Sequence, residues 1–248
     1  SLRYDFLLFY NLFHQKIIVN LLSFNFMKKL LLPISLLYSL ILLIRHKFYD
    51  WGLLKSRSFD IPNICVGNLN LGGTGKTPHS EYLIRLLSDK YKLAVLSRGY
   101  GRKTKGFILA DENHTHNDIG DEPLQYFKKF NNIDVAVDEN RCNGMRQMLQ
   151  QATPPQIVLL DDAYQHRKIK AGLNILLTDY YNLYSNDNLI PAGNLRDIKK
   201  AARRAEIIVV TKSPNVITPY YRKDIEDSLK PLPNQKIFYS YIEYQNFQ

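Results

Sequence analysis

Three groups of residues have the types and spacing to do chemistry on a phosphate. The first is Asn70-Leu71-Gly72-Gly73-Thr74-Gly75-Lys76-Thr77. Glycines let backbone N–H groups turn inward around phosphate oxygens, and the N-terminus of a following helix adds partial positive charge. In such a loop the lysine reaches the β- and γ-phosphates and the hydroxyl after it ligates Mg²⁺. Gly72, Gly73, Thr74, Gly75, Lys76 and Thr77 are therefore the expected nucleotide contacts. Asn70 stands where the strict pattern has Gly, and Asn tolerates the left-handed backbone such a turn can require.

The second group is Ile157-Val158-Leu159-Leu160-Asp161-Asp162, an apolar run that ends in acids. A buried strand of this kind presents a carboxylate to Mg²⁺. Gln165 and His166 follow at once, within reach of the same centre, although His166 with Arg167 and Lys168 also reads as a solvated basic turn. The third is Gly120-Asp121-Glu122-Pro123 ahead of a helix. Two acids there serve as cap and dipole partners, or one is poised to take a proton from an attacking hydroxyl. Further along, Ser97-Arg98-Gly99-Tyr100-Gly101-Arg102 and Pro191-Ala192-Gly193-Asn194-Leu195-Arg196-Asp197 form polar loops suited to sugar or phosphate. Val210-Thr211-Lys212-Ser213-Pro214 lacks the acid that would read guanine, so the expected nucleotide is ATP.

The elements that position these loops follow from the hydrophobic pattern. Short apolar runs at 64–66, 93–96, 133–137, 157–160, 175–177 and 207–210 alternate with helical stretches near 78–90, 123–130, 141–151, 198–205 and 220–229. Continuous apolar strands alternating with helices predict an α/β fold, a mostly parallel sheet flanked by helices. Its site belongs at the C-terminal edge of the strands, where every motif above falls.

The chain has 248 residues and a formal charge of +10, with 45% hydrophobic residues and two cysteines, Cys65 and Cys142. This composition supports a packed core and excludes a disulfide scaffold or a Cys-only zinc site. Residues 1–47 carry Arg3, Lys16, Lys28, Lys29, Arg45 and Lys47 against Asp5, a net of +5. The excess thus lies beside the most apolar stretch, Leu30 to Ile44, which favours a membrane surface over a nucleic-acid groove. Fifteen helical residues span ~22 Å against a ~30 Å hydrocarbon core, so a helix in one leaflet fits better than a full crossing. A buried core helix is the alternative. Residues 1–26 read as upstream sequence preceding a natural start at Met27, 27–50 as the membrane-associating helix, 51–235 as the core, and 236–248 as the start of a C-terminal lobe cut short.

Taken together, these stretches resemble the tetraacyldisaccharide 4'-kinases. The resemblance rests on Val66-Gly67-Asn68-Leu69 running into Gly72–Pro78, then on Leu96–Arg102, Gly120–Pro123, Asp161–Arg167 and Pro191–Arg196, in that order. It implies a P-loop kinase core that transfers phosphate from ATP, with Mg²⁺, to the 4'-hydroxyl of an acylated glucosamine disaccharide 1-phosphate in lipopolysaccharide biosynthesis. It implies a base role for Asp121, catalytic roles for Lys76 and Asp162, and metal-linked roles for Thr77, Asp161 and Gln165. Tyr100, Arg141 and Arg196 match positions that face substrate or phosphate. The implied setting is the cytoplasmic face of the bacterial inner membrane, with no nucleic acid and no obligate protein partner. Ala163-Tyr164 replaces the usual Gly-Phe, and Asp197 stands where Glu is commoner. The rival readings are a different P-loop small-molecule kinase or ligase, a membrane-associated ATPase switch, and a nucleic-acid-binding module.

Overall fold

The computed structural model describes residues 29–243; the expectation for residues 1–26 lies outside them. The first element is a helix, α1 (Lys29–Asp50). Then follow β1 (Asn63–Asn68), α2 (Lys76–Leu87), β2 (Leu93–Ser97), β3 (Ile108–Leu109), α3 (His116–Ile119) and α4 (Asp121–Lys129). β4 (Ile133–Val137), α5 (Arg141–Leu149), β5 (Ile157–Asp161) and β6 (Leu173–Asp179) complete the first half of the sheet and its centre. β7 (Ile207–Thr211), α6 (Pro219–Leu229) and β8 (Lys236–Tyr239) finish the described chain.

Among the described residues the strands form one sheet in the order β3-β4-β2-β5-β1-β6-β7-β8, parallel except for β3. Both faces are covered, so each central strand alternates between two cores. Val66, Leu159 and Leu177 pack with Ile84 and Tyr126 on one side. Cys65, Leu160 and Leu176 pack with Met145 and Ile208 on the other. The register places Val66 beside Asp161, so β1 and β5 end together and deliver their loops to one spot.

β3 and α3 were not expected from the sequence, and one expected element takes a different form. The stretch expected as a helix over 198–205 is a 3₁₀ helix, Lys199–Arg204. Asp197 caps the Ile198 N–H at its start, and the Gln235 side chain holds the Ala202 and Ala205 carbonyls at its end. The segment is pinned at both ends over six residues, a length that suits the tighter turn. The span of α1 falls within the 27–50 expected, and with 22 residues it is long and apolar enough to cross a membrane by length and composition, where the apolar run Leu30 to Ile44 alone is short.

One side of α1 is nevertheless committed to the sheet domain. The Ser35 hydroxyl donates to Leu189 O (3.0 Å) and accepts from Ala192 N–H. Tyr38 donates to Arg196 O, Leu42 joins the core, and Arg45 donates to Gln165 O. His46 pairs with Asp197. Residues 35, 38, 42 and 46 recur at helical spacing, so a single stripe is docked. Leu30, Ile34, Leu37, Leu40, Ile41 and Ile44 lie on the rest of the surface and are exposed.

Candidate active site

The glycine-rich loop joins β1 to α2. Gly73 and Gly75 take left-handed backbone, φ +77° and +75°, and Gly75 is the N-cap of α2. Asn70 does not; its backbone pairs with Leu195 instead, so the tolerance expected of it is not what shapes the turn. Asn68, at the end of β1, donates to the Thr74 hydroxyl (2.7 Å) and thereby ties the loop to the sheet. His79, in the first turn of α2, contacts Gly75 O through Nδ1 (2.7 Å) and Ser240 Oγ through Nε2 (2.9 Å).

β5 presents its two acids differently. Asp161 is buried, accepts from Ser80 Oγ (2.9 Å), and has the Tyr126 hydroxyl at 3.4 Å. Burial and the negative charge of Glu122 push its carboxyl up to about 6. Asp162 has φ +45°, an uncommon backbone for a residue with a side chain and one that clusters at functional sites. Its carboxylate accepts from both terminal nitrogens of Arg196, one at 3.0 Å, and lies 4.0 Å from Lys76 Nζ. Burial pushes Asp162 up, but the Arg196 hydrogen bonds and the charges of Arg196, Lys76 and Arg141 prevail and hold it below the usual carboxylate range.

Arg196 also donates to Asn68 Oδ1 (2.6 Å) and so bridges the ends of β1 and β5. Gln165 donates to Asn68 O (2.6 Å), which closes the same knot. Arg141, the first residue of α5, is 3% exposed; it gives one N–H to Asp138 O, and its Nε and Nη2 have no partner among the described residues. Burial pushes this guanidinium down to about 10 against the pull of Asp161 and Asp162. Buried donors left unpaired cost free energy, so these two N–H groups are open to an acceptor. His166 is pushed down to about 4 by burial and by Arg141 and Arg98, so its imidazole is neutral at pH 7.

The adjacent acids of α4 diverge. Glu122 accepts from Thr77 Oγ1 (2.9 Å), while Asp121 is exposed and has no hydrogen-bond partner among the described residues. A helix turns about 100° per residue, so neighbours cannot share a face. Tyr100, 86% exposed between Gly99 and Gly101, stands outside the hydrogen-bonded knot. His79 and the loop-tying role of Asn68 are features that motif spacing does not single out, and it leaves open which acid of the Asp121-Glu122 pair faces Thr77.

A profile of the tetraacyldisaccharide-1-P 4'-kinase family matches residues 27–240. The chain belongs to this family. It is 54% identical over 220 residues to the tetraacyldisaccharide 4'-kinase of Flavobacterium johnsoniae, covering 89% of this chain and 65% of that protein. The tetraacyldisaccharide 4'-kinase of Bacteroides thetaiotaomicron is 50% identical over 221 residues, covering 89% and 58%. The chain thus spans less than two thirds of the length of these curated relatives. A crystal structure of LpxK from Aquifex aeolicus in complex with ATP matches with a TM-score of 0.70 and 30% identity, covering 90% of this chain and 85% of that one. This family membership agrees with the mostly parallel sheet of the chain.

Proposed function

We propose that this tetraacyldisaccharide 4'-kinase family member carries the transfer centre of an ATP-dependent kinase. Its acceptor is the 4'-hydroxyl of an acylated glucosamine disaccharide 1-phosphate, in lipid A and lipopolysaccharide biosynthesis. One observation carries the reading. The loop that brings Arg196 to Lys76 and Asp162 is the loop on which the apolar helix α1 is docked. A phosphate site and an exposed apolar surface therefore share one support, as an enzyme with a membrane-embedded acceptor needs.

The residue roles follow. The backbone of Gly72–Gly75 and the Lys76 ammonium hold the phosphates of ATP. Asp121 takes the proton of the 4'-hydroxyl as its oxygen bonds to the γ-phosphorus and the bond to the ADP oxygen breaks. Asp162 keeps Lys76 and Arg196 in place, and Arg141 offers its two unpaired donors to phosphate oxygens. Tyr100, exposed on its turn, contacts the sugar. Thr77, Glu122 and Asp161 make an all-oxygen donor set that fits magnesium, which favours one or two carboxylates plus phosphate oxygens and water. Gln165 flanks that set. When bound, magnesium offsets charge on the phosphate oxygens. With the exposed face of α1 in the lipid, the protein sits on the cytoplasmic face of the inner membrane, beside its substrate.

The test is incubation of the protein expressed from its complete gene with ATP and the acylated disaccharide 1-phosphate in detergent. The expected product is the 1,4'-bisphosphate, lost in Lys76→Ala. ATP hydrolysis without transfer by folded protein would instead support an ATPase switch.

A further inference from the structure

A cavity of about 200 Å³ lies between the last turns of α1 and the 3₁₀ helix Lys199–Arg204. Its cations are of two kinds. Arg167 and Arg204, in the wall, are already partnered: Arg167 with Asp50 (2.8 Å) and His46 O, Arg204 with Tyr164 O and Asp197 (3.4 Å). Lys47, Lys200 and Arg203 line the same cavity, are exposed, and have no carboxylate within 4.0 Å among the described residues. Lys199 belongs to neither kind, because its ammonium is turned away to Ser185 O.

An apolar track leads into this cationic cavity. Leu36, Leu40, Leu43 and Lys47 follow at i, i+4, i+7 and i+11 on α1, one stripe of the helix. The three leucines are 68%, 52% and 39% exposed. From Leu36 to Lys47 the helix rises ~16 Å, close to the ~15 Å of hydrocarbon in one leaflet. A free phosphate would need only the cations, and a nucleic acid would gain nothing from the leucines. An amphiphile with a phosphate head uses both.

We propose that this cavity is a headgroup site for an anionic phospholipid of the bilayer. Lys47, Lys200 and Arg203 hold the phosphodiester, and an acyl chain lies along Leu43, Leu40 and Leu36. The proposal rests on the membrane-associated reading of α1 and adds a specific lipid contact to it. The site also abuts the catalytic support, since Arg204 in its wall pairs with Asp197, the neighbour of Arg196.

The test is co-sedimentation of the complete protein with vesicles of phosphatidylcholine alone and of phosphatidylcholine with phosphatidylglycerol. The variants are K47Q/K200Q/R203Q and, as a control of equal charge, K90Q/K105Q/K223Q at exposed positions away from the cavity. The wild-type protein should favour the anionic vesicles. The cavity variant should lose on the order of 10²-fold of that partition, about fivefold per cation near an anionic surface. Its partition onto phosphatidylcholine, which reads the leucines, should be unchanged, and the control should lose only a few-fold. Equal losses in both variants would overturn the proposal by showing a diffuse field rather than a site. Equal wild-type binding to both vesicles would overturn it while leaving the α1 reading intact. No wild-type binding to either would remove both.

Discussion

His46 Nε2 lies 2.6 Å from Asp197 Oδ1, with both side chains buried. The pair joins the apolar helix α1 to the residue that follows Arg196. Asp197 spends its remaining capacity on the Ile198 N–H and Arg204, and Tyr38 holds the Arg196 carbonyl from the same helix. The helix is therefore part of the scaffold of the phosphate site, and its attachment and the position of Arg196 are mechanically one problem.

His46→Ala tests this coupling. It leaves a buried carboxylate short of a partner, which should cost about 3 kcal/mol of stability. Urea unfolding should show that loss, and His46→Gln, which keeps a donor, should recover most of it. Turnover should fall in His46→Ala even where the protein remains folded, because Arg196 loses its brace, while nucleotide affinity is held by the glycine-rich loop. Unchanged turnover in folded His46→Ala would separate the helix from the site.

The acids of α4 give a second test. Asp121→Ala should cut turnover by roughly 10²–10⁴, the range of a lost general base, with ATP binding kept. Glu122→Gln should retain the Thr77 contact but weaken the magnesium dependence of nucleotide binding, measured by calorimetry with and without the metal. Equivalent phenotypes would refute the division of labour that the helix geometry makes between the two residues.

That division shows where sequence reading stops. The central strands were legible because four or five consecutive apolar residues, as in Ile157–Leu160, have no other good use in a soluble core. β3 was not, since two residues, Ile108 and Leu109, are too few to display a pattern. The extent of α1 was legible within 27–50, but its docking stripe was not, because Ser35, Tyr38, Arg45 and His46 find their partners in the distant loops 165 and 189–197. The glycine-rich loop was legible because its chemistry is local in the chain. The contact of Glu122 with Thr77 and that of His79 with Ser240 were not, because each joins residues that only the fold brings together.

Asp161 predicts a pH effect with a definite sign. Its carboxyl rises from an ordinary 3.8 to about 6 in the folded protein. A raised acid stabilises the fold most below its unfolded value, and that contribution is lost as pH climbs through about 6. In the ligand-free protein the component should change by ~2 kcal/mol between pH 4 and 7. Thermal unfolding of wild type and Asp161→Asn across that range should diverge accordingly, with the variant gaining relative stability as pH rises. Adding ATP with magnesium should shrink the difference, because a divalent cation beside the carboxylate restores its charged form.

Arg141 should trade stability against function in the opposite direction from His46. Its guanidinium is 3% exposed, with Nε and Nη2 unpaired, so the free protein carries an uncompensated desolvation cost. Arg141→Met keeps much of the volume and removes that cost, and should leave stability unchanged or raise it by about 1 kcal/mol. With these donors in the phosphate-binding role proposed above, the variant should bind its phosphorylated ligands at least tenfold more weakly, about 1.4 kcal/mol. Parallel unfolding curves and titrations with ATP and with the disaccharide 1-phosphate check both halves, and also identify which ligand Arg141 serves. A variant that is both less stable and fully active would show that the buried guanidinium is a structural strut instead.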